Sequence, residues 1–125
     1  MSRELRPQRG EIWLIDFEPT IGSEIKKIRP ALVISSDAIN KLPIKLVSPI
    51  TDWKPYFAAN FWHIKFWHIK IEPTSNNGLS KTSTLDTLQL RGLDTQRFIR
   101  RLGTISEETM AAVAIAIVTV IEAEL

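Results

Sequence analysis

The chain has 125 residues, 44% of them hydrophobic and 24% charged, with a formal net charge of +2 and no cysteine. That is the size and composition of one globular domain, 1–125, with enough length to bury a core. It excludes a disulfide framework, a thiolate metal site and a cysteine nucleophile, and the small positive charge permits a nucleic-acid partner without requiring one.

Residues 1–8 are polar and read as a flexible arm. They lack the apolar core of a secretory signal, and with the missing cysteines this fits a reducing cytoplasmic setting. Residues 12–17 (IWLIDF) are rich in aromatic and β-branched side chains and predict a first strand; residues 18–28 then form a polar loop around Gly22. Further strands are expected over 31–35 and 44–48, joined by a turn holding Asp37, Asn40 and Pro43. The third strand is expected to end at Pro49, with Thr51 just past it. A long connection follows, carrying Trp53, Tyr56 and Phe57.

Residues 61–65 and 66–70 are identical pentapeptides, FWHIK. Five is odd and strand side chains alternate, so two copies in one continuous strand would face opposite sides. A bulge or a loop must absorb the mismatch, and a tandem duplication is a better reading than a functional repeat. The loop SNNGLSKTS leads to a weak strand over 84–88, a short helix over 94–101 and an edge strand over 101–105. Ser106 is a good N-cap, and Glu107 and Glu108 suit the positive end of the last helix, which runs to about residue 123. Its apolar run, 110–121, is shorter than the roughly 20 residues that cross a bilayer, so a buried or interface helix is expected. Short strands with one terminal helix make the class α+β, with a twisted, mostly antiparallel sheet or small barrel.

The chemistry concentrates early. Arg29 precedes Pro30, whose ring forces the arginine into extended geometry, fixing a guanidinium at a strand edge beside the 18–28 loop. Its planar fork of donors suits a phosphate. The plainer alternative is a surface arginine paired with Glu24 or Asp37. Thr51 can donate to a phosphoryl oxygen if its strand neighbours that of Arg29; otherwise it is a turn threonine bonding its own backbone. Ser23, Glu24, Lys26 and Lys27 make a mixed-charge loop. His63 and His68 suggest an acid–base pair, but their spacing opposes one on a continuous strand. No ligand set for a metal and no phosphate-binding glycine loop is present, so no cofactor is expected.

The segments RGEIWLIDFEPTIGSE, IRPALVIS, LVSPIT, NNGLSKTS, LQLRGLDTQRF and RLGTIS, in that order, resemble the MazF/PemK family of toxin endoribonucleases over roughly residues 9–121. The resemblance implies a small SH3-like barrel with a C-terminal helix, paired as a homodimer, which cuts single-stranded RNA without a metal and is silenced by a cognate antitoxin. It implies catalytic roles for Arg29 and Thr51, with Gly22, Ser23 and Glu24 shaping the RNA groove. Glu24 is then the carboxylate expected to act as base or to orient Arg29, and Lys26, Lys27, Trp53 and Gln89 are expected RNA contacts. Two departures stand out: Leu88, not an acidic residue, precedes Gln89, and Gly92 follows Arg91. The competing reading is a non-catalytic RNA-binding or assembly module on the same fold.

Overall fold

The computed structural model describes residues 6–39, 41–54 and 67–124. Among these residues, seven strands and one α-helix follow in the order β1 (Glu11–Asp16), β2 (Ile28–Val33), β3 (Ile44–Asp52), β4 (His68–Ile71), β5 (Ser83–Asp86), β6 (Arg91–Asp94), β7 (Phe98–Thr104) and α1 (Glu107–Val120). The strands form one antiparallel sheet in the order β4-β5-β3-β2-β1-β7, with β6 attached to β3. Among the described residues no ladder joins β4 to β7, so the expected barrel is an unclosed, two-faced sheet.

Both faces are buried, which is why β1 and β2 read as nearly unbroken apolar runs rather than alternating ones. Trp13, Ile15, Phe17, Ala31, Val33 and Phe98 form the core of one face, with Ile25 from the loop after β1 packed against it. Trp13 and Phe98 meet edge-on with ring centroids 5.8 Å apart. On the other face Ile12, Leu32, Ile50 and Leu85 meet Val113 of α1. Ser106 caps that helix, its Oγ accepting the Thr109 N–H at 3.1 Å. Ile115 points away from the sheet and is 68% exposed. No described helix is long and apolar enough to cross a membrane.

Three expectations are corrected. β3 does not stop at Pro49 but continues to Asp52, placing Thr51 inside the strand. The proline is tolerated because β3 changes partners there: it pairs with β6 up to Val47 and with β5 from Ile50, and Pro49 has a ladder partner only in Ala31 of β2. The helix expected over 94–101 is a single 3-10 turn, Thr95–Arg97, after which β7 begins at Phe98. Asp94 Oδ1 caps that turn through the Gln96 N–H at 2.8 Å, and pairing of Phe98 with Ile15 overrides the local helical spacing. The weak strand over 84–88 is shorter, ending at Asp86 in a second 3-10 turn, Thr87–Gln89. β6 was not anticipated; four residues are too few to show a period. The first FWHIK copy lies outside the described residues, as do His63, Tyr56 and Phe57, while β4 starts within the second copy.

The NNGL loop between β4 and β5 is held by one buried side chain. Asn77 Oδ1 accepts the N–H groups of Thr74 (3.1 Å) and Leu79 (3.0 Å), and its Nδ2 donates to the Glu72 carbonyl at 2.9 Å. Gly78 next to it has φ +70 and lies so near β7 that an added Cβ would stand 2.1 Å from the Leu102 carbonyl oxygen.

Candidate active-site groove

The loop between β1 and β2 is tied at its base by main-chain and carboxylate bonds. Phe17 N–H donates to the Lys27 carbonyl at 3.0 Å, and Lys27, with φ +70, returns its own N–H to Glu18 Oε2 at 2.8 Å. Glu18 Oε1 also accepts the Thr20 N–H at 3.2 Å. These bonds, the Lys27 N–H first, hold the Glu18 carboxyl below its ordinary pKa. The loop therefore leaves and re-enters the sheet at a fixed point, directly before Arg29.

Ala31 of β2 stands opposite Pro49 of β3. Two residues along each strand from that pair come Arg29 and Thr51, on the sheet face opposite α1. Arg29 is half-buried and its Nε donates to the Lys26 carbonyl at 3.3 Å. Among the described residues no carboxylate pairs with it. Arg29 and Thr51 both line a cavity of about 700 Å3 that also takes in Ser23, Lys54, Trp67, His68, Asp86 and Gln89. They also line a second cavity of about 420 Å3, which continues past Lys81 to Arg100 of β7. The guanidinium and the hydroxyl thus sit where two depressions of one groove meet. Asp52, beside Thr51, is bonded by Lys81 Nζ at 2.9 Å, and this bond, helped by the charges of Lys54 and Arg29, lowers its pKa.

The other expected residues are placed less simply. Ser23 lines the groove, and Gly22 forms the exposed loop turn with φ +58. Glu24 does not reach Arg29. Its Oε1 accepts the Ile21 N–H at 2.6 Å, and it lines an adjoining cavity of about 500 Å3 that shares Ser23, Leu88 and Gln89 with the groove but not Arg29. Proximity in sequence suggested an ion pair, but the loop turns the carboxylate back onto its own backbone. Lys26 and Lys27 are exposed and line neither cavity beside Arg29, and Trp53 lies under the Lys70 ammonium, 4.9 Å from its ring centre. Gln89 lines the groove, but both ends of its amide are engaged inside the protein. Oε1 accepts the Ile25 N–H and Nε2 donates to Asp86 Oδ2 at 3.2 Å.

Trp67, Asp86 and Lys81 were not anticipated, and His68 enters the groove without a second histidine among the described residues. His68 Nε2 stands 3.8 Å from Asp86 Oδ2. All four arrive through the pairing of β4 and β5 onto the far end of β3, which no local pattern announces. Among the described residues no cluster of His, Asp or Glu is arranged to hold a metal.

Known proteins resemble the chain over most of its length. A family model described as the PemK-like, MazF-like toxin of type II toxin–antitoxin systems matches residues 8–121. The chain belongs to that family. It is 30% identical over 104 residues to endoribonuclease MazF9 of Mycobacterium tuberculosis, covering 83% of this chain and 86% of the relative. It is 34% identical over 107 residues to endoribonuclease MazF of Staphylococcus epidermidis, covering 85% and 83%. The fold superposes on MazF from Deinococcus radiodurans with a TM-score of 0.74 at 21% identity, covering 96% of this chain and 100% of that one. The MazF-like fold thus carries the Arg29–Thr51 groove on the sheet face that its C-terminal helix leaves open.

Proposed function

We propose that this chain is the toxin of a type II toxin–antitoxin system, a metal-independent endoribonuclease that cuts single-stranded RNA at short sequences in the cytoplasm. It would work as a homodimer and be silenced by a cognate antitoxin. The relatives named as endoribonucleases support the activity, and the registration of Arg29 with Thr51 across β2 and β3 supports the site.

RNA brings its own nucleophile. The 2′-OH attacks the adjacent phosphorus, the P–O5′ bond breaks, and the products are a 2′,3′-cyclic phosphate and a 5′-OH. The attacking hydroxyl loses its proton and the departing O5′ gains one. The protein must hold 2′-oxygen, phosphorus and O5′ in line and stabilise the charge that builds on the non-bridging oxygens. Arg29, with no carboxylate partner among the described residues, supplies that charge. A guanidinium is a poor base, so its role is electrostatic. Thr51 donates a hydrogen bond to a non-bridging oxygen, and Ser23 with the loop around Gly22 closes over the strand. Trp67, half-buried at the groove wall, offers a stacking surface for an unpaired base.

The test is to incubate the purified protein with a long RNA in excess chelator and map the ends. New 2′,3′-cyclic phosphate and 5′-OH ends are expected, and Arg29→Ala should abolish them while the protein stays folded. Retention of uncut RNA would favour the binding-module reading, and wild-type cutting by Arg29→Ala would remove the proposed site.

A further inference from the structure

We propose that Gln89 is a positioning residue that latches the β1–β2 loop and, through it, aims Arg29 at the scissile phosphate. This rests on the reading of Arg29 as the charge-stabilising group. Residues 64 apart in sequence are joined here through a short run of hydrogen bonds. Asp86 Oδ1 accepts the Leu88 N–H at 3.1 Å, which fixes the carboxylate at the start of the Thr87–Gln89 turn. Its Oδ2 accepts Gln89 Nε2 at 3.2 Å, and Gln89 Oε1 accepts the Ile25 N–H of the loop. One residue on, the Lys26 carbonyl accepts Arg29 Nε–H.

The side-chain type matters. A primary amide donates at one end and accepts at the other, as this place between a carboxylate and a backbone N–H requires. Glutamate can accept from Ile25 but would set a second negative charge against Asp86; lysine could donate but not accept. Ile25 is additionally held by packing on the Trp13–Phe98 core, so its N–H is presented at a fixed height above the groove. The loop is thus held at its base, by the Phe17–Lys27 closure, the Lys27 bond to Glu18 and Arg97 on the Glu18 carbonyl, and again by the Gln89 bond near Arg29. The Lys27 N–H bond to Glu18 holds the Lys26–Lys27 peptide from its C-terminal side, and the Gln89 bond braces it from the Ile25 side. Losing that brace lets the Lys26 carbonyl, and with it the guanidinium, shift, and a displacement of about 1 Å at a reacting group can cost about 10²-fold in rate.

The test uses the full chain and a short single-stranded RNA that it cuts. Gln89→Ala should lower kcat by about 10- to 100-fold while KM changes by less than about threefold. The Ile25 amide should exchange with solvent at least about tenfold faster in that variant, with the fold otherwise retained. Gln89→Glu alone should be as impaired. Adding Asp86→Asn to Gln89→Glu reverses the polarity of one bond: the amide introduced at position 86 donates to the carboxylate introduced at position 89, while Ile25 keeps an acceptor. This double variant should regain at least about tenfold in kcat over Gln89→Glu. A large rise in KM with kcat intact, or no rescue in the double variant, would mean that Gln89 touches RNA directly and would overturn the latch. Arg29→Ala run in parallel keeps the two claims apart. If it is inactive while Gln89→Ala cuts normally, only the latch fails; if it is active, the site reading fails.

Discussion

Lys81 Nζ lies 2.9 Å from Asp52 Oδ1, so the carboxylate adjoining Thr51 is bonded from the loop before β5, while Arg29 acts on it only by its charge. Both side chains are substantially exposed, at 63% and 44%, and such a pair is worth only about 0–1 kcal/mol to folding. Its consequence is local. With Lys81 in place, the groove presents one balanced pair and an arginine still available to a phosphate.

Lys81→Met should therefore leave the melting temperature within a few degrees of wild type while raising KM for RNA, by about tenfold, as Asp52 repels phosphate or turns toward Arg29. Combining it with Asp52→Asn should recover most of that loss. Steady-state cleavage of one RNA by the three proteins checks both statements.

The same pair sets a pH dependence. The Lys81 bond holds the folded-state pKa of Asp52 below its ordinary 3.8. A depressed carboxyl pKa adds stability that is present above 3.8 and fades as pH falls through the folded value. Wild type should exceed Asp52→Asn slightly at about pH 7, by less than about 1 kcal/mol given the exposure, and the gap should shrink as the pH falls below 3.8. Urea unfolding of both proteins at about pH 7 and at a series of pH values below 3.8 reads it directly.

Thr51→Val removes the hydroxyl and keeps a β-branched side chain suited to a strand. Cleavage should drop by about 10²- to 10³-fold with unchanged unfolding, as for loss of one donor to a developing oxyanion. Single-turnover rates with saturating enzyme isolate the chemical step. A fall in binding alone would assign Thr51 to substrate grip.

Gly78 allows the loop after β4 to approach β7. Because an added Cβ would fall 2.1 Å from the Leu102 oxygen at a backbone φ of +70, Gly78→Ala should destabilise the fold by at least about 2 kcal/mol. Gly22, also at positive φ but with nothing within 4 Å of an added Cβ, should tolerate alanine at about 1 kcal/mol. Denaturant midpoints of the two variants compare them.

The residues legible in sequence were those whose neighbours constrain them locally. Arg29 could be placed because Pro30 dictates its backbone, and Ser106 because its hydroxyl and the following glutamates mark a helix start. Thr51 stood out as a possible donor near a strand end and the family resemblance gave it a catalytic role, but the local pattern had the strand stopping at Pro49, since the partner exchange that accommodates a proline is invisible in one dimension. DTQRFIRR has helical spacing, yet Phe98 is drawn into the sheet by Ile15, far away in sequence. Glu24 lies close to Arg29 along the chain and apart from it in space, because Ile21 claims its carboxylate. Asp86 and Trp67 could be found only by knowing that β5 joins β3 at Asp52 and brings β4 with it.

β3 is the strand on which the two ends of the sheet depend, pairing with β2 along one side and with β6 and then β5 along the other. Sliding it by a single position would carry Thr51 to the helix-covered side and strand Pro49 against a neighbour that wants its missing proton. A misaligned molecule is therefore a silent one, and turnover doubles as a gauge of how faithfully the chain has assembled.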